Sequence, residues 1–201
     1  MQSSISAIIL SAGSSQRMGK HKALLKIGNK TFLRHIVDEI NSAGLQDTIV
    51  VLGSDFETIR QTLSWFNGKV VVNNDWKNGQ LSSIITGLNA FELIDCNGVL
   101  IIPVDHPLFT SSLILELLQA FNESKKQIII PTYRQRRGHP IIISKNLFGE
   151  LRNAPIQIGM RSVVHAHKDE ICEVPTEEEG VLINIDTPED YQKYFLDNTA
   201  P

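Results

Sequence analysis

The sequence predicts an α/β fold: a three-layer α/β/α arrangement around a mostly parallel, Rossmann-like sheet. Three observations predict it. Short, near-continuous apolar runs such as residues 5–10 and 99–104 read as strands covered on both faces. Stretches with apolar residues at helical spacing separate these runs. The chain has 201 residues, ample for one large domain with a single core, so residues 1–201 are read as one domain.

The elements follow in order. Residues 5–10 form a β-rich run that ends in a Gly/Ser loop. Over residues 31–43, Phe32, Leu33, Ile36, Val37 and Ile40 share one helical face, and Gly44 is placed to end that helix. Residues 48–52 read as a strand, 55–65 as a helix and 69–73 as a strand. Leu81, Ile84, Ile85 and Leu88 form a second helical stripe. A strand follows over residues 99–104, and Leu113, Ile114, Leu117, Leu118 and Phe121 mark a further helix. The apolar runs 127–130 and 140–143 flank a basic turn over residues 134–138. This stretch breaks the alternation and reads as a small β-hairpin insertion facing the substrate. A helix is expected near residues 160–167 and strands near 170–174 and 181–185. Thr187-Pro188-Glu189-Asp190 then opens a last helix, with a cap residue, proline at the first position and acids in the first turn.

Composition excludes several classes. With 19 Lys+Arg and 22 Asp+Glu the formal net charge is −3; hydrophobic residues make up 42% and charged residues 20%. Disorder, collagen and coiled coil do not fit these values. The acidic balance gives no electrostatic case for a nucleic-acid partner. Two cysteines, Cys96 and Cys172, are not a disulfide framework, and a reducing compartment is expected. The N-terminal Met-Gln-Ser-Ser lacks a basic leader region, and no apolar run is long enough to span a bilayer. A cytoplasmic protein is expected.

In open α/β sheets, ligands bind beyond the carboxyl ends of the strands. That rule directs attention to the loop after the first strand, to residues 73–83, to Asp105 and to Asp186. The first loop runs Leu10-Ser11-Ala12-Gly13-Ser14-Ser15-Gln16-Arg17-Met18-Gly19-Lys20-His21-Lys22. Its small residues let backbone N–H groups approach an anion. Arg17, Lys20 and Lys22 add positive charge suited to a polyphosphate. The loop is not a Walker A motif, because five residues separate Gly13 from Gly19 and His21 follows Lys20. Nor is it the dinucleotide fingerprint, since Ser15 stands at the second glycine's place. A plain strand-to-helix turn with a basic flank remains the simpler alternative.

The stretch from Leu10 to Lys22 resembles the signature of the nucleoside-triphosphate transferase family. Within it, the match is to the MobA-like branch that activates the molybdopterin cofactor. That branch's pattern is Leu-Ala-Ala-Gly-x-Ser-x-Arg-Met-Gly-x-x-Lys, matched here with Ser11 replacing Ala. Residues 73–88 are similar to the family's Asn-x-x-Trp-x-x-Gly-Met-Ser-x-Ser-Leu-x-x-Gly-Leu, with Leu81 in place of a serine. Pro103-Val104-Asp105-His106-Pro107, Gly138-His139-Pro140 and the segment from Asn184 to Asp190 also match.

The resemblance implies nucleotidyl transfer: an acceptor phosphate attacks the α-phosphorus of a nucleoside triphosphate and pyrophosphate leaves. Arg17, Lys22 and Asp105 are the implied catalytic residues. Leu10, Ala12, Gly13, Ser14, Ser15, Gly19, Lys22, Gly79, Ser82 and Ser83 are the implied nucleotide contacts. For Ser82 and Ser83 helix capping is an equal alternative. Asp105 and Asp186 are read as Mg²⁺ ligands, a hard cation that takes oxygen donors. For each the alternative is a helix cap, better placed at Asp186. His106, His139 and Arg161 are read as facing the acceptor. Trp76 is read as packing or stacking near the site, and His21 and His35 as without function. The cytidylyl-transferring members carry Leu-x-Ala-Gly and the guanylyl-transferring members Leu-x-Gly-Gly, so Ala12 favours CTP. The implied acceptor is a phosphorylated pterin cofactor, with a transient contact to a molybdoenzyme or its chaperone. The alternatives are guanylyl transfer to the same cofactor, a sugar- or polyol-phosphate acceptor, and a non-catalytic cofactor-binding protein.

Overall fold

The computed structural model describes residues 4–91 and 96–197. The leader reading over residues 1–3 lies outside them. Strand β1, Ile5–Ser11, is buried along its whole length. Its side chains alternate between two cores: Ile5, Ala7 and Ile9 face one, Ile8 and Leu10 the other. Two-residue strands β2, Lys26–Ile27, and β3, Lys30–Thr31, form a separate ribbon. Helix α1, Phe32–Ser42, starts where the Thr31 side chain accepts a hydrogen bond from the Arg34 amide, and it buries the predicted stripe. Strand β4, Thr48–Leu52, has the bounds the sequence predicts.

Helix α2, Phe56–Gln61, is shorter than the expected 55–65. The Thr62 hydroxyl donates to the Ile59 carbonyl at 2.7 Å, and the Leu63 amide turns back to Arg60, which ends the helix there. Next come β5, Lys69–Val72, α3, Gln80–Ala90, β6, Gly98–Pro103, and α4, Ser111–Ser124. Thr110 caps α4 through the Leu113 amide, so that cap makes no use of Asp105. Strands β7, Ile128–Tyr133, β8, Arg136–Arg137, and β9, Ile141–Ser144, are followed by α5, Phe148–Asn153, and α6, Arg161–Ala166. Strand β10, Ile171–Pro175, and helix α7, Pro188–Tyr191, complete the set.

The sheet order is β10-β7-β9-β6-β1-β4-β5, with β8 paired to β7. All neighbours on that path are parallel except β9, which runs antiparallel to both β6 and β7. Helices α1, α2 and α4 cover one face and α3, α5 and α6 the other. This is the expected three-layer architecture. The hairpin is less separate than expected. Its apolar second limb is β9, fully buried between β6 and β7, and only the β7–β8 turn is a projecting hairpin.

The strand expected over residues 181–185 is absent. Glu179–Leu182 form a 3₁₀ turn instead. This segment crosses the strand ends rather than lying beside a strand. The His139 amide donates to the Val181 carbonyl, and the Ile185 amide to the Asp105 carbonyl, each at 2.9 Å. Its apolar residues are satisfied by other layers. Val181 enters the α1/α4 core, and Ile185 packs with Met18, Leu25 and Phe32. Alternating apolar residues therefore mimic a strand without a strand partner.

The chain runs from β1 outward to β4 and β5, then returns to place β6 on β1's other side. The order reverses between β1 and β6. The loops after these two strands leave the sheet together, since Leu10 pairs with Pro103 and the Val104 amide donates to the Leu10 carbonyl at 3.0 Å. Such a switch point opens a crevice for a ligand.

Candidate active site

A cavity of about 470 Å³ occupies that crevice. It is lined by the whole stretch Leu10 to Arg17, by His21, Lys22 and Ala23, by Trp76, Gly79, Gln80 and Ser83, and by Pro103, Val104, Asp105 and Asp186. Ile59 completes the lining. The volume suits a small-molecule ligand.

The first loop is shaped by local bonds. The Ser15 carbonyl accepts from the Met18 and Gly19 amides, both at 3.1 Å, and its hydroxyl accepts from the Lys22 amide at 3.2 Å. These bonds bring Lys22 back over the cavity. The Ala12 carbonyl accepts from the Ser54 amide at 3.0 Å. A Cβ on Gly53 would stand 2.5 Å from that carbonyl oxygen and 2.8 Å from both Ala12 Cβ and Trp76 Cβ. Only glycine at position 53 lets the first loop, the end of β4 and the Trp76 turn converge.

Charge is concentrated on one side. Lys22 Nζ donates to Asp105 Oδ2 at 2.9 Å and, in a shorter contact, to Asp186 Oδ1. Arg17 Nη2 donates to Asp186 Oδ2 at 3.0 Å. The Lys22 side chain is 12% exposed, and the two carboxylates are 25% and 24% exposed. Burial pushes the Asp186 carboxyl up, but the Lys22 ammonium and the Arg17 guanidinium outweigh it and hold the group below the usual carboxylate range. Asp186 is not the helix cap. Thr187 and Asp190 form the capping box, and the Asp190 carboxylate accepts from the Asp186 amide at 3.0 Å. The Asp186 side chain is thereby left for Lys22, Arg17 and Asn184.

Two carboxylates from separate segments thus converge on a single cation position. Hard oxygen donors in that arrangement fit a divalent metal bound by two carboxylates plus substrate phosphates and water. Among the described residues no cluster of three or more His, Cys, Asp or Glu is placed to hold a metal. The protein's share of such a site would be two ligands.

The other predicted residues divide. Leu10, Ala12, Gly13, Ser14, Ser15, Gly79 and Ser83 line the cavity with Arg17, Lys22, Asp105 and Asp186, whereas Gly19 and Ser82 do not. Gly19 closes the Ser15 turn at φ 68°. The Ser82 hydroxyl donates inward to the Asp75 and Gly79 carbonyls, with Asn73 Nδ2 donating to it at 2.8 Å. Neither serine caps α3, whose N-cap residue is Gly79. Leu81, at the place of a family serine, is 2% exposed in the core. Arg161 lies exposed at the start of α6 and outside the cavity lining.

Gln80 and Ile59 line the cavity although the sequence assigns them no role, and Trp76, for which packing and stacking near the site are the two expectations, lines it too. So does His21, whose Nε2 lies 3.4 Å from Asp55 Oδ2. The one available signal for Gln80 was its position directly after Gly79.

His106 and His139 pair beside Asp105, with ring centroids 4.8 Å apart and both Nδ1 atoms buried without a hydrogen-bond partner among the described residues. Burial, reinforced by its His106 neighbour, pushes the His139 imidazole down to about 4, against an opposing pull from Asp105. The unfolded chain takes up that proton near 6.5. Between these values the unfolded state binds more protons, so stability falls as pH drops through that window. The expected loss from His139 is roughly 3 kcal/mol, most of it already present at about pH 4.5. Urea unfolding at neutral pH and in mild acid checks this. His139→Gln is expected to remove that share of the acid loss, and an unchanged acid loss would exclude His139 as its source.

Comparison with known proteins identifies the family and the fold. A model of the MobA-like NTP transferase domain matches residues 7–171. A molybdenum cofactor guanylyltransferase of Shewanella baltica (strain OS155) is 23% identical over 202 residues, covering 99% of this chain and 100% of that protein. Nicotine blue oxidoreductase of Paenarthrobacter nicotinovorans is 26% identical over 151 residues, covering 71% of this chain and 72% of that protein. The crystal structure of Rv0371c from Mycobacterium tuberculosis H37Rv superposes with a TM-score of 0.85 at 25% identity, covering 97% of this chain and 98% of that one. The family match begins in β1 and ends in β10, spanning the glycine/serine loop, Lys22 and Asp105, so this chain belongs to the MobA-like NTP transferase family.

Proposed function

We propose that the chain transfers a nucleoside monophosphate from its triphosphate to the phosphate of molybdopterin cofactor, with release of pyrophosphate. The observation that carries this reading is the convergence of Asp105 and Asp186 on one cation position beneath the first loop. An acceptor phosphate oxygen bonds to the α-phosphorus, and the bond to the bridging oxygen breaks, leaving the electron pair on pyrophosphate. The nucleophile is already anionic, so no strong base is required. Alignment and charge neutralisation suffice. Asp105 and Asp186 would hold Mg²⁺, which when bound neutralises phosphate charge and orients the reacting oxygens. Lys22 and Arg17 would neutralise the triphosphate and the departing pyrophosphate. The first loop would cradle the phosphates with Gly79 and Ser83 opposite. The His106–His139 pair would present uncharged imidazoles to the acceptor.

For the nucleobase, the guanylyl alternative is better supported than the cytidylyl reading. Full-length relatives are named guanylyltransferase. The CTP expectation rested on Ala12, yet the Ala12 methyl is tucked against Gly53 and the residue is 5% exposed. A methyl turned into the protein is a poor filter for base size. Two free cysteines, one of them buried, support a reducing, cytoplasmic setting.

Turnover on isolated molybdopterin with each of GTP, CTP, ATP and UTP in Mg²⁺ tests the proposal. Pyrophosphate release with GTP preferred is expected. A preference for CTP would restore the cytidylyl reading. No release with any triphosphate would overturn nucleotidyl transfer, and redox turnover without pyrophosphate would favour the chemistry of the oxidoreductase-named relative.

A further inference from the structure

Lys22 stands where a cation would stand. Its ammonium contacts one oxygen of each carboxylate, Asp105 Oδ2 and Asp186 Oδ1, and is almost withdrawn from solvent. Its backbone is held. The Lys22 amide donates to the Ser15 hydroxyl, the Lys22 carbonyl accepts from Leu25, and the next residue, Ala23, is 1% exposed. The ammonium can leave the carboxylates only by rotation of its own side chain. Arg17 sits on the far oxygen of Asp186. Two formal positive charges therefore face two negative ones, and these four side chains balance one another electrically.

A divalent cation entering this balanced site alone would meet the Lys22 ammonium at contact distance, where like charges repel strongly in a partly buried setting. A triphosphate changes the balance. Its oxygens offer Lys22 another partner inside the same cavity and add negative charge that a metal can neutralise. We infer that Lys22 is a resident cation occupying the divalent position between Asp105 and Asp186, so that a metal binds there only once a triphosphate has drawn Lys22 away. The inference rests on the reading of Asp105 and Asp186 as the divalent pair. It assigns Lys22 a second task, coupling metal entry to nucleotide arrival and keeping the empty enzyme from holding a metal.

The test is Mn²⁺ binding by the full-length chain, followed through the electron paramagnetic resonance signal of free Mn²⁺. Without nucleotide, wild type should bind weakly. Lys22→Met should bind about tenfold more tightly or better, because one adjacent positive charge is gone. Lys22→Gln serves as a second neutral variant, with circular dichroism to confirm that both fold. Adding Asp105→Asn to Lys22→Met should abolish the gain. A saturating non-transferable GTP analogue, bridged by methylene between its α- and β-phosphates, should raise wild-type affinity beyond that of the analogue alone. If both neutral variants bind Mn²⁺ no better than wild type while Asp105→Asn still weakens binding, the Lys22 inference is overturned and the metal site stands. If Asp105→Asn changes binding in neither background, the divalent pair itself is wrong and the inference falls with it.

Discussion

Asp105→Asn is expected to lower pyrophosphate release by about a thousandfold while leaving the fold intact. The Asp105 side chain is a quarter exposed, and among the described residues its salt-bridge partner is Lys22. Losing a partly exposed ion pair costs little stability. The backbone role of Asp105 is untouched, because the Ile185 amide bonds to its carbonyl rather than to its side chain. What disappears is one of the two carboxylates that define the cation position. Asparagine keeps the shape and one acceptor oxygen but removes the charge. Steady-state pyrophosphate release, read beside a thermal melt, separates the outcomes. Near-normal turnover in a protein that melts like wild type would take Asp105 out of the mechanism.

The second large effect lies away from the chemistry, at Gly180. A Cβ there would stand 1.6 Å from the Leu108 carbonyl oxygen, with the Leu108 carbonyl carbon at 2.7 Å. A backbone carbonyl cannot swing aside as the end of a side chain can. In Gly180→Ala the Glu179–Leu182 turn must therefore move as a unit. Moving it strains the His139–Val181 bond and the contact of Gly138 with Val181, where a Cβ would be 2.4 Å from the Val181 oxygen. It also disturbs Glu178, which accepts from the Thr110 amide and hydroxyl at the start of α4. A loss of about 4 kcal/mol is expected, above the roughly 1–3 kcal/mol usual for overpacking because the clash is with a backbone carbonyl. Activity should fall as well, because this segment delivers Ile185 and Asp186 to the first loop. Chemical denaturation measures the first effect and pyrophosphate release the second. Gly180→Ala with wild-type stability would show that the Leu108 contact yields easily.

Much of the fold is legible in the residues. The stripe Leu33, Ile36, Val37 and Ile40 and the capping residue Thr31 mark α1 within a residue of its ends. Strand β4 is a run of β-branched and apolar residues and appears with the expected bounds. These features are local, since burial periodicity and caps act within one or two turns. Residues 181–185 show where local reading fails. Alternation there satisfies two separate cores rather than a strand's two faces. Strand β9 shows another limit. Its residues say that it is buried, but the antiparallel place between β6 and β7 depends on partners far along the chain.

The site divides in the same way. Small residues, basic residues and a carboxylate after a strand mark the first loop and Asp105 as chemistry-bearing. Ser83 lies at the place of the family serine and lines the cavity, while Ser82 turns inward to hold the Asp75–Gly79 loop. Trp76 and Gln80 carry no local signal that separates lining a cavity from ordinary packing.

By itself, the sequence determined the α/β class, the helix start at Thr187, the phosphate-type loop and the family. Only the tertiary structure decided which charges meet. Lys22 is 83 residues from Asp105 and 164 from Asp186, and no periodicity or spacing reports a contact at such separations. It was set instead by long-range packing. The β1–β6 pairing holds the first loop beside Asp105, and the burial of Ile185 against Met18, Leu25 and Phe32 brings Asp186 to the same point. Burial energy, summed over residues that carry no chemistry, placed the three groups that do.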